Sequence, residues 1–237
     1  MKYDNILKAK FISRPNRFIA HVELKGREVA VHVKNTGRCK ELLVPDATVY
    51  LEDFTGRMGS RKMTYSLIAV EKVVERGKML INMDSQAPNK VVREALENGT
   101  LVLPGMGHVA EIKAEAVYGN SRLDFFICDE KGKKGYIEVK GVTLENCGIA
   151  AFPDAPTERG VKHLRELSAL AASGYEAYAL FVIQMEGTQE FRTNDKTHKG
   201  FGDGLRAAAK SGVHVLAYEC KVKPDSLEIW LPVKVVV

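Results

Sequence analysis

The chain has 237 residues, of which 45% are hydrophobic and 27% charged, and a net charge of +5 at neutral pH. That length and composition fit a soluble globular protein of one or two domains, whose core needs no disulfide or metal to hold it together. No apolar run approaches the ~18 residues of a transmembrane helix, and Met1-Lys2-Tyr3-Asp4-Asn5 lacks the apolar block of a signal peptide, so the expectation is a cytoplasmic protein without a membrane partner.

The first third reads as short strands. Residues 6–13 are apolar-rich and end at Arg14-Pro15-Asn16-Arg17. Residues 18–24 alternate, Lys25-Gly26-Arg27 turns the chain, and 28–33 alternate again. Residues 48–54 and 64–74 complete about five strands, the pattern of a small barrel or sandwich. This region carries the charge. Residues 1–84 hold 16 Lys/Arg against 10 Asp/Glu, and residues 85–237 hold 19 against 20. A localised basic surface is the footprint of a polyanion binder, nucleic acid first, although ordinary surface chemistry fits the same count. Phe11, Phe18 and Tyr50 could stack on bases; barrel cores use the same residues, and core is the preferred reading.

The pattern changes near Asp84. Residues 89–99 have helical spacing at Val91, Val92, Ala95 and Leu96, with Gly99 as a stop. Strands follow near 112–118, 123–128 and 136–144. Residues 157–173 form an amphipathic helix with Thr157 as N-cap. A buried strand at 177–183, a helix at 201–211 and strands at 213–220 and 227–237 complete an α/β half, so the expected domains are 1–84 and 85–237. Cys39, Cys128, Cys147 and Cys220 lie far apart with no C-x-x-C pair, which argues for reduced thiols rather than a zinc ribbon.

The segment 121–140 carries the chemistry. It reads as a β-hairpin whose loop is Glu130-Lys131-Gly132, with Gly132 in the left-handed position. That register sets Asp124 opposite Glu138, and strand alternation places Lys140 on the same face as Glu138. Facing carboxylates repel. A divalent cation between them, Mg²⁺ or Mn²⁺, would explain the pair, since Mg²⁺ is held by one or two carboxylates with waters and phosphate oxygens. Glu-x-Lys on a strand is also common as a plain solvent face.

The strings Ser121-Arg122-Leu123-Asp124-Phe125, Ile137-Glu138-Val139-Lys140-Gly141 and Ala151-Phe152-Pro153-Asp154-Ala155-Pro156-Thr157-Glu158-Arg159-Gly160 resemble the sugar fermentation stimulation protein A family. His32-Val33-Lys34-Asn35-Thr36-Gly37-Arg38 is similar to that family's His-x-Pro-Asn-Thr-Gly signature, with Lys34 in place of proline. The resemblance implies an N-terminal OB-like five-stranded barrel followed by a restriction-endonuclease-like α/β domain of the PD-(D/E)xK type. It also implies a DNA-binding protein tied to regulation of maltose metabolism. The nuclease motif then maps onto Asp124, Glu138 and Lys140. Glu94 is the candidate acid from the preceding helix, with a solvent-facing glutamate as the equal alternative.

The residues expected to contact nucleic acid are Arg14, Arg17, Lys34, Asn35, Thr36 and Arg38 in the first domain, and Arg122, Arg159 and Lys162 in the second. His163 falls in the same helix-start cluster, which either contacts phosphate or is a plain polar helix face, and the loop Asn35-Thr36-Gly37-Arg38 either grips a nucleic-acid backbone or merely forms a turn. Gln184 follows a buried strand, either lining a site or holding a loop. Three functions remain open: a DNA-binding regulator with a nuclease-like metal site, an active metal-dependent nuclease on DNA or RNA, and a carbohydrate- or protein-binding module. Oligomeric state is not legible.

Overall fold

The alternating segments near the N-terminus do fold as strands. The computed structural model describes every residue except Thr36, Arg76 and Asn120. In it, β1 (Ile6–Asn16), β2 (Ile19–Leu24), β3 (Arg27–Val33), β4 (Thr48–Asp53) and β5 (Tyr65–Val74) run in the order β3-β2-β1-β4-β5. A parallel pairing of β3 with β5, at His32–Ser66 and Val33–Leu67, closes them into a barrel. The alternation has a direct reading. Ala20, Val22 and Leu24 of β2 point into the core with Val31 and Val33 of β3. Lys25 and Gly26, at φ 53° and 74°, make the two-residue connection between β2 and β3, in which both positions need positive φ.

A sixth strand, β6 (Gly77–Asn82), extends the sheet antiparallel to β5. The sequence reading stopped at five strands because Gly77-Lys78-Met79-Leu80 shows no alternation; only Ile81 and Asn82 are fully buried.

Two compact units emerge, and neither is one continuous stretch. The first comprises Met1–Ala87 with Gln184–Glu186 and Cys220–Glu228. Gln184 has the loop-holding role: its buried amide donates to the carbonyls of Asn82 and Asp84, at 3.1 Å each. The second comprises Pro88–Ile183, Gly187–Glu219 and Ile229–Val237.

After β6 in chain order, α1 (Ala87–Glu97) leads into β7 (Val109–Tyr118), β8 (Ser121–Asp129) and β9 (Lys134–Val142). Then come β10 (Leu144–Asn146), β11 (Ile149–Phe152), α2 (Glu158–Ala172), β12 (Glu176–Ile183), β13 (Glu190–Thr193), α3 (Asp195–Lys210), β14 (His214–Lys223), β15 (Ser226–Pro232) and β16 (Lys234–Val236). The main sheet runs β15-β14-β12-β9-β8-β7, with β9, β12 and β14 parallel and β7, β8 and β9 antiparallel. The short β10, β11, β13 and β16 make a second sheet. The single last strand expected over 227–237 is divided between these two sheets.

α2 packs on β8, β9, β12 and α3. Its N-cap is Thr157, whose hydroxyl accepts the Gly160 N–H at 3.1 Å. A Cβ at Gly160 would meet that hydroxyl at 2.9 Å, so the close turn requires glycine. α3 starts six residues before the expected point and is kinked at His198, where the backbone leaves helical geometry. All four cysteines are free thiols. No helix among the described residues is long and apolar enough to cross a membrane.

Candidate metal centre and nucleic-acid interface

The β8–β9 hairpin has the register that its sequence implies. Phe125 faces Ile137, Phe126 faces Tyr136, Ile127 faces Gly135 and Cys128 faces Lys134. Gly132 sits at φ 79° in the loop. Asp129 holds that loop shut: its carboxylate accepts the N–H groups of Gly107, Lys131 and Lys133 at 2.8–2.9 Å, which keeps its carboxyl below the usual range.

The ladder ends at Phe125 and Ile137, and Asp124 and Glu138 lie one residue beyond, on a shared face. Here a carboxylate takes the ladder's place. Asp124 Oδ2 accepts the Val139 N–H at 2.8 Å, and its Oδ1 accepts from Asn89 Nδ2 of α1 at 2.8 Å. Burial raises the Asp124 carboxyl above its ordinary value, and the neighbouring Glu138 charge raises it further. Glu138 is only 5% exposed. Burial pushes its carboxyl up too, but a hydrogen bond from His163 and the ammonium of Lys140 outweigh burial and hold it down. Lys140 Nζ lies 2.5 Å from Glu138 Oε1.

His163 of α2 meets Glu138 Oε1 through Nδ1. Arg159 Nε donates to His163 Nε2 at 3.3 Å. A guanidinium only donates, so this network assigns the ring proton to Nδ1, where it is given to Glu138. The Arg159 and His163 expected to grip phosphate thus form a chain ending on the candidate metal ligand. Sequence reasoning missed this role, and the role of Asn89. The i, i+4 spacing of Arg159 and His163 was the available signal.

Glu94 is exposed on α1. It stands five residues and roughly 140° around the helix from Asn89, whose amide donates to Asp124. Arg122 is exposed, two residues from Asp124 and therefore on its face, with Glu115 at 3.3 Å. Lys162 is exposed, with Glu166 at 3.7 Å.

In the first unit the expected cations part company. Lys34 is a correction. Its side chain is 12% exposed, and Nζ lies 3.1 Å from Asp84 and 3.5 Å from Glu52, so it neutralises buried acids instead of facing solvent. Arg14 is committed as well: its two Nη atoms donate to the carbonyls of Arg17, Asn35, Gly37 and Arg38 at 2.6–2.8 Å. Asn35 Oδ1 accepts the Gly37 N–H at 2.8 Å. Thr36 lies outside the described residues. Arg17 and Arg38 are exposed. They line a groove of about 510 Å³ with Arg14 and Lys40, a cation the sequence reading did not name. Phe11 is buried in the barrel core, Tyr50 is only half-buried with its hydroxyl on Glu71, and Phe18 departs from the core expectation. It is 49% exposed in the β1–β2 turn, with the Arg17 guanidinium 4.9 Å above its ring.

Comparison with known proteins matches two family descriptions: "SfsA N-terminal OB domain" over residues 12–82 and "Sugar fermentation stimulation protein RE domain" over residues 86–226. A sugar fermentation stimulation protein homolog of Clostridium beijerinckii is 56% identical over 229 residues, covering 97% of this chain and 96% of that protein. The Clostridium acetobutylicum homolog is 49% identical over 237 residues, covering 100% of both. Among solved structures, that of Pyrococcus furiosus SfsA in complex with Ca²⁺ superposes with a TM-score of 0.86 at 26% identity, covering 100% of this chain and 98% of that one. A barrel of OB type followed by an α/β domain, matched over nearly the full length, places the chain in the sugar fermentation stimulation protein family.

Proposed function

We propose that this protein binds DNA through its basic N-terminal unit and carries, in its α/β domain, a divalent-cation site of the kind that hydrolyses phosphodiesters. One observation carries the reading: Asp124 and Glu138 share a face where the β8–β9 ladder stops, close enough for the Glu138 charge to raise the Asp124 carboxyl. Like charges buried together are costly, and a cation relieves that cost.

The donor set fits a hard cation. Each Asp124 oxygen has one hydrogen-bond partner and keeps a lone pair. Both contacts to Glu138 fall on Oε1, which leaves Oε2 available. Two carboxylates suit Mg²⁺ or Mn²⁺, with waters and phosphate oxygens completing the shell. The Pyrococcus furiosus relative is solved with Ca²⁺, another cation of oxygen-rich sites. Once bound, such an ion lowers the pKa of a water and offsets charge on a scissile phosphate. This chain's residues do the rest. Asn89 and the Val139 N–H orient Asp124. His163 orients Glu138. Lys140 holds a proton and a positive charge beside the acids, where it would meet a phosphate oxygen or a water.

The test is incubation of labelled double- and single-stranded DNA and RNA with the protein in Mg²⁺, Mn²⁺ or EDTA, scored for both gel shift and cleavage. The expected result is a shift without metal and cleavage only with metal. Cleavage is lost in Asp124→Asn, Glu138→Gln and Lys140→Ala while the shift survives. A shift with no cleavage under any metal would leave the DNA-binding regulator and remove the nuclease. No shift would remove both.

A further inference from the structure

The groove on the barrel unit has a chemistry of its own. Its cationic lining is Arg14, Arg17, Arg38 and Lys40, its apolar lining is Phe11, Ile12, Leu43 and Pro45, and among the described residues no acidic side chain lines it. Among the described residues no carboxylate pairs with any of these four cations. Among the described residues the Arg14 charge meets carbonyl dipoles, and its buried Nε–H has no acceptor there. The wall is also preorganised. Arg14 ties the carbonyls of Asn35, Gly37 and Arg38 to that of Arg17, and Asn16 Oδ1 takes the N–H groups of Phe18 and Ile19 at 2.9 and 3.1 Å. Arg17, Arg38 and Lys40 are left exposed for contact.

The space and the lining together select a ligand class. At about 510 Å³ the groove falls within the roughly 300–1,000 Å³ range of pockets that bury most of a drug-sized molecule. One nucleotide fits that space, whereas a duplex meets a protein as a convex cylinder with its bases stacked inside. An apolar floor has no use for phosphates alone, and unpaired bases seek such surfaces. Ser13 and Asn16 in the lining add polar groups for a base edge.

We propose that this groove takes an unpaired nucleotide of a DNA strand, its base against Ile12, Leu43 and Pro45 and its flanking phosphates on Arg17, Arg38 and Lys40. The inference rests on the DNA-binding reading above and deepens it: the preferred substrate carries a single-stranded stretch. Charge alone favours the opposite order, because duplex DNA has the higher charge density.

The experiment is fluorescence anisotropy on the full chain in EDTA, comparing a labelled single strand with its blunt duplex. The single strand should bind more tightly. Arg38→Ala combined with Lys40→Ala should weaken single-strand binding about tenfold or more, with a shallower salt dependence, and duplex binding much less. Ser13→Trp fills the groove without changing charge and should cost about tenfold on the single strand, the scale of one lost stacking platform. If that variant lacks a cooperative melting transition, the double variant carries the test. Equal losses on both substrates, or tighter binding of the duplex, overturn the groove assignment while the DNA-binding reading stands. A free nucleoside monophosphate that competes at micromolar concentration assigns the groove to a small molecule instead. Absence of binding to either DNA overturns both readings.

Discussion

His163 donates a hydrogen bond from Nδ1 to Glu138 Oε1 across 25 residues of sequence, from the second turn of α2 to the middle of β9. The bond aims the carboxylate and lowers its pKa against the push of burial. Ligand orientation set from behind is a general feature of metal sites.

His163→Ala should therefore weaken cation binding about 10–100-fold, the usual cost of losing such support. His163→Asn keeps a donor and should recover part of the loss. Calorimetric titration with Mn²⁺ separates the two variants. Equal affinities in wild type and His163→Ala would show that the histidine serves packing alone.

Asp124→Asn should abolish any cation-dependent rise in melting temperature. A ligand at 100 times its Kd stabilises the native state by about 2.7 kcal/mol, and that increment is what disappears. Without metal the variant should be no less stable than wild type. The amide oxygen still accepts from Val139, and Asn89 can rotate its own amide to accept the new N–H. The Glu138 repulsion is gone. Differential scanning calorimetry in EDTA and in Mg²⁺ reads both effects.

Lys34→Met should destabilise the barrel unit by about 3–5 kcal/mol, because it removes the buried ammonium that lies against both Asp84 and Glu52. Asp84 is 1% exposed and Glu52 is 7% exposed, so neither can turn to water. Urea unfolding measures the loss. At concentrations where the variant remains folded, its DNA affinity should fall no more than that of a neutral surface substitution.

Tyr50 and Glu71 make a pH-sensitive pair. The Tyr50 hydroxyl donates to Glu71 Oε1 at 2.7 Å. Burial first, then the Glu71 partner, pushes the tyrosine up to about 12. Burial pushes Glu71 up, but Lys78 and Tyr50 outweigh it and leave the carboxyl below its ordinary range. The depressed carboxyl contributes stability above its unfolded pKa, and this is lost as pH falls through the folded value. The raised phenol contributes below its unfolded value near 10, and this is lost as pH rises toward 12. Tyr50→Phe should thus cost about 1 kcal/mol at neutral pH. The gap from wild type should narrow in both acid and strong alkali. A gap constant from pH 3 to pH 11 in urea titrations would contradict this.

The sequence alone determined the parts whose partners are near in the chain. Asp124 and Glu138 could be aligned from alternation and one left-handed glycine because hairpin register is a local property. The long helix and its Thr157 cap followed from period and residue type. The tertiary structure decided what depends on distant neighbours. Strands β10, β11 and β13, of 3–4 residues each, are too short to show a period, and form because neighbouring segments complete their ladders. The roles of Asn89 and His163 need α1 and α2 brought against the hairpin. Counting charges placed Lys34 on the surface with Arg17 and Arg38, because a composition carries no information on burial. Only the closed barrel, with Glu52 and Asp84 on either side, turned that lysine inward and left Arg17, Arg38 and Lys40 facing out.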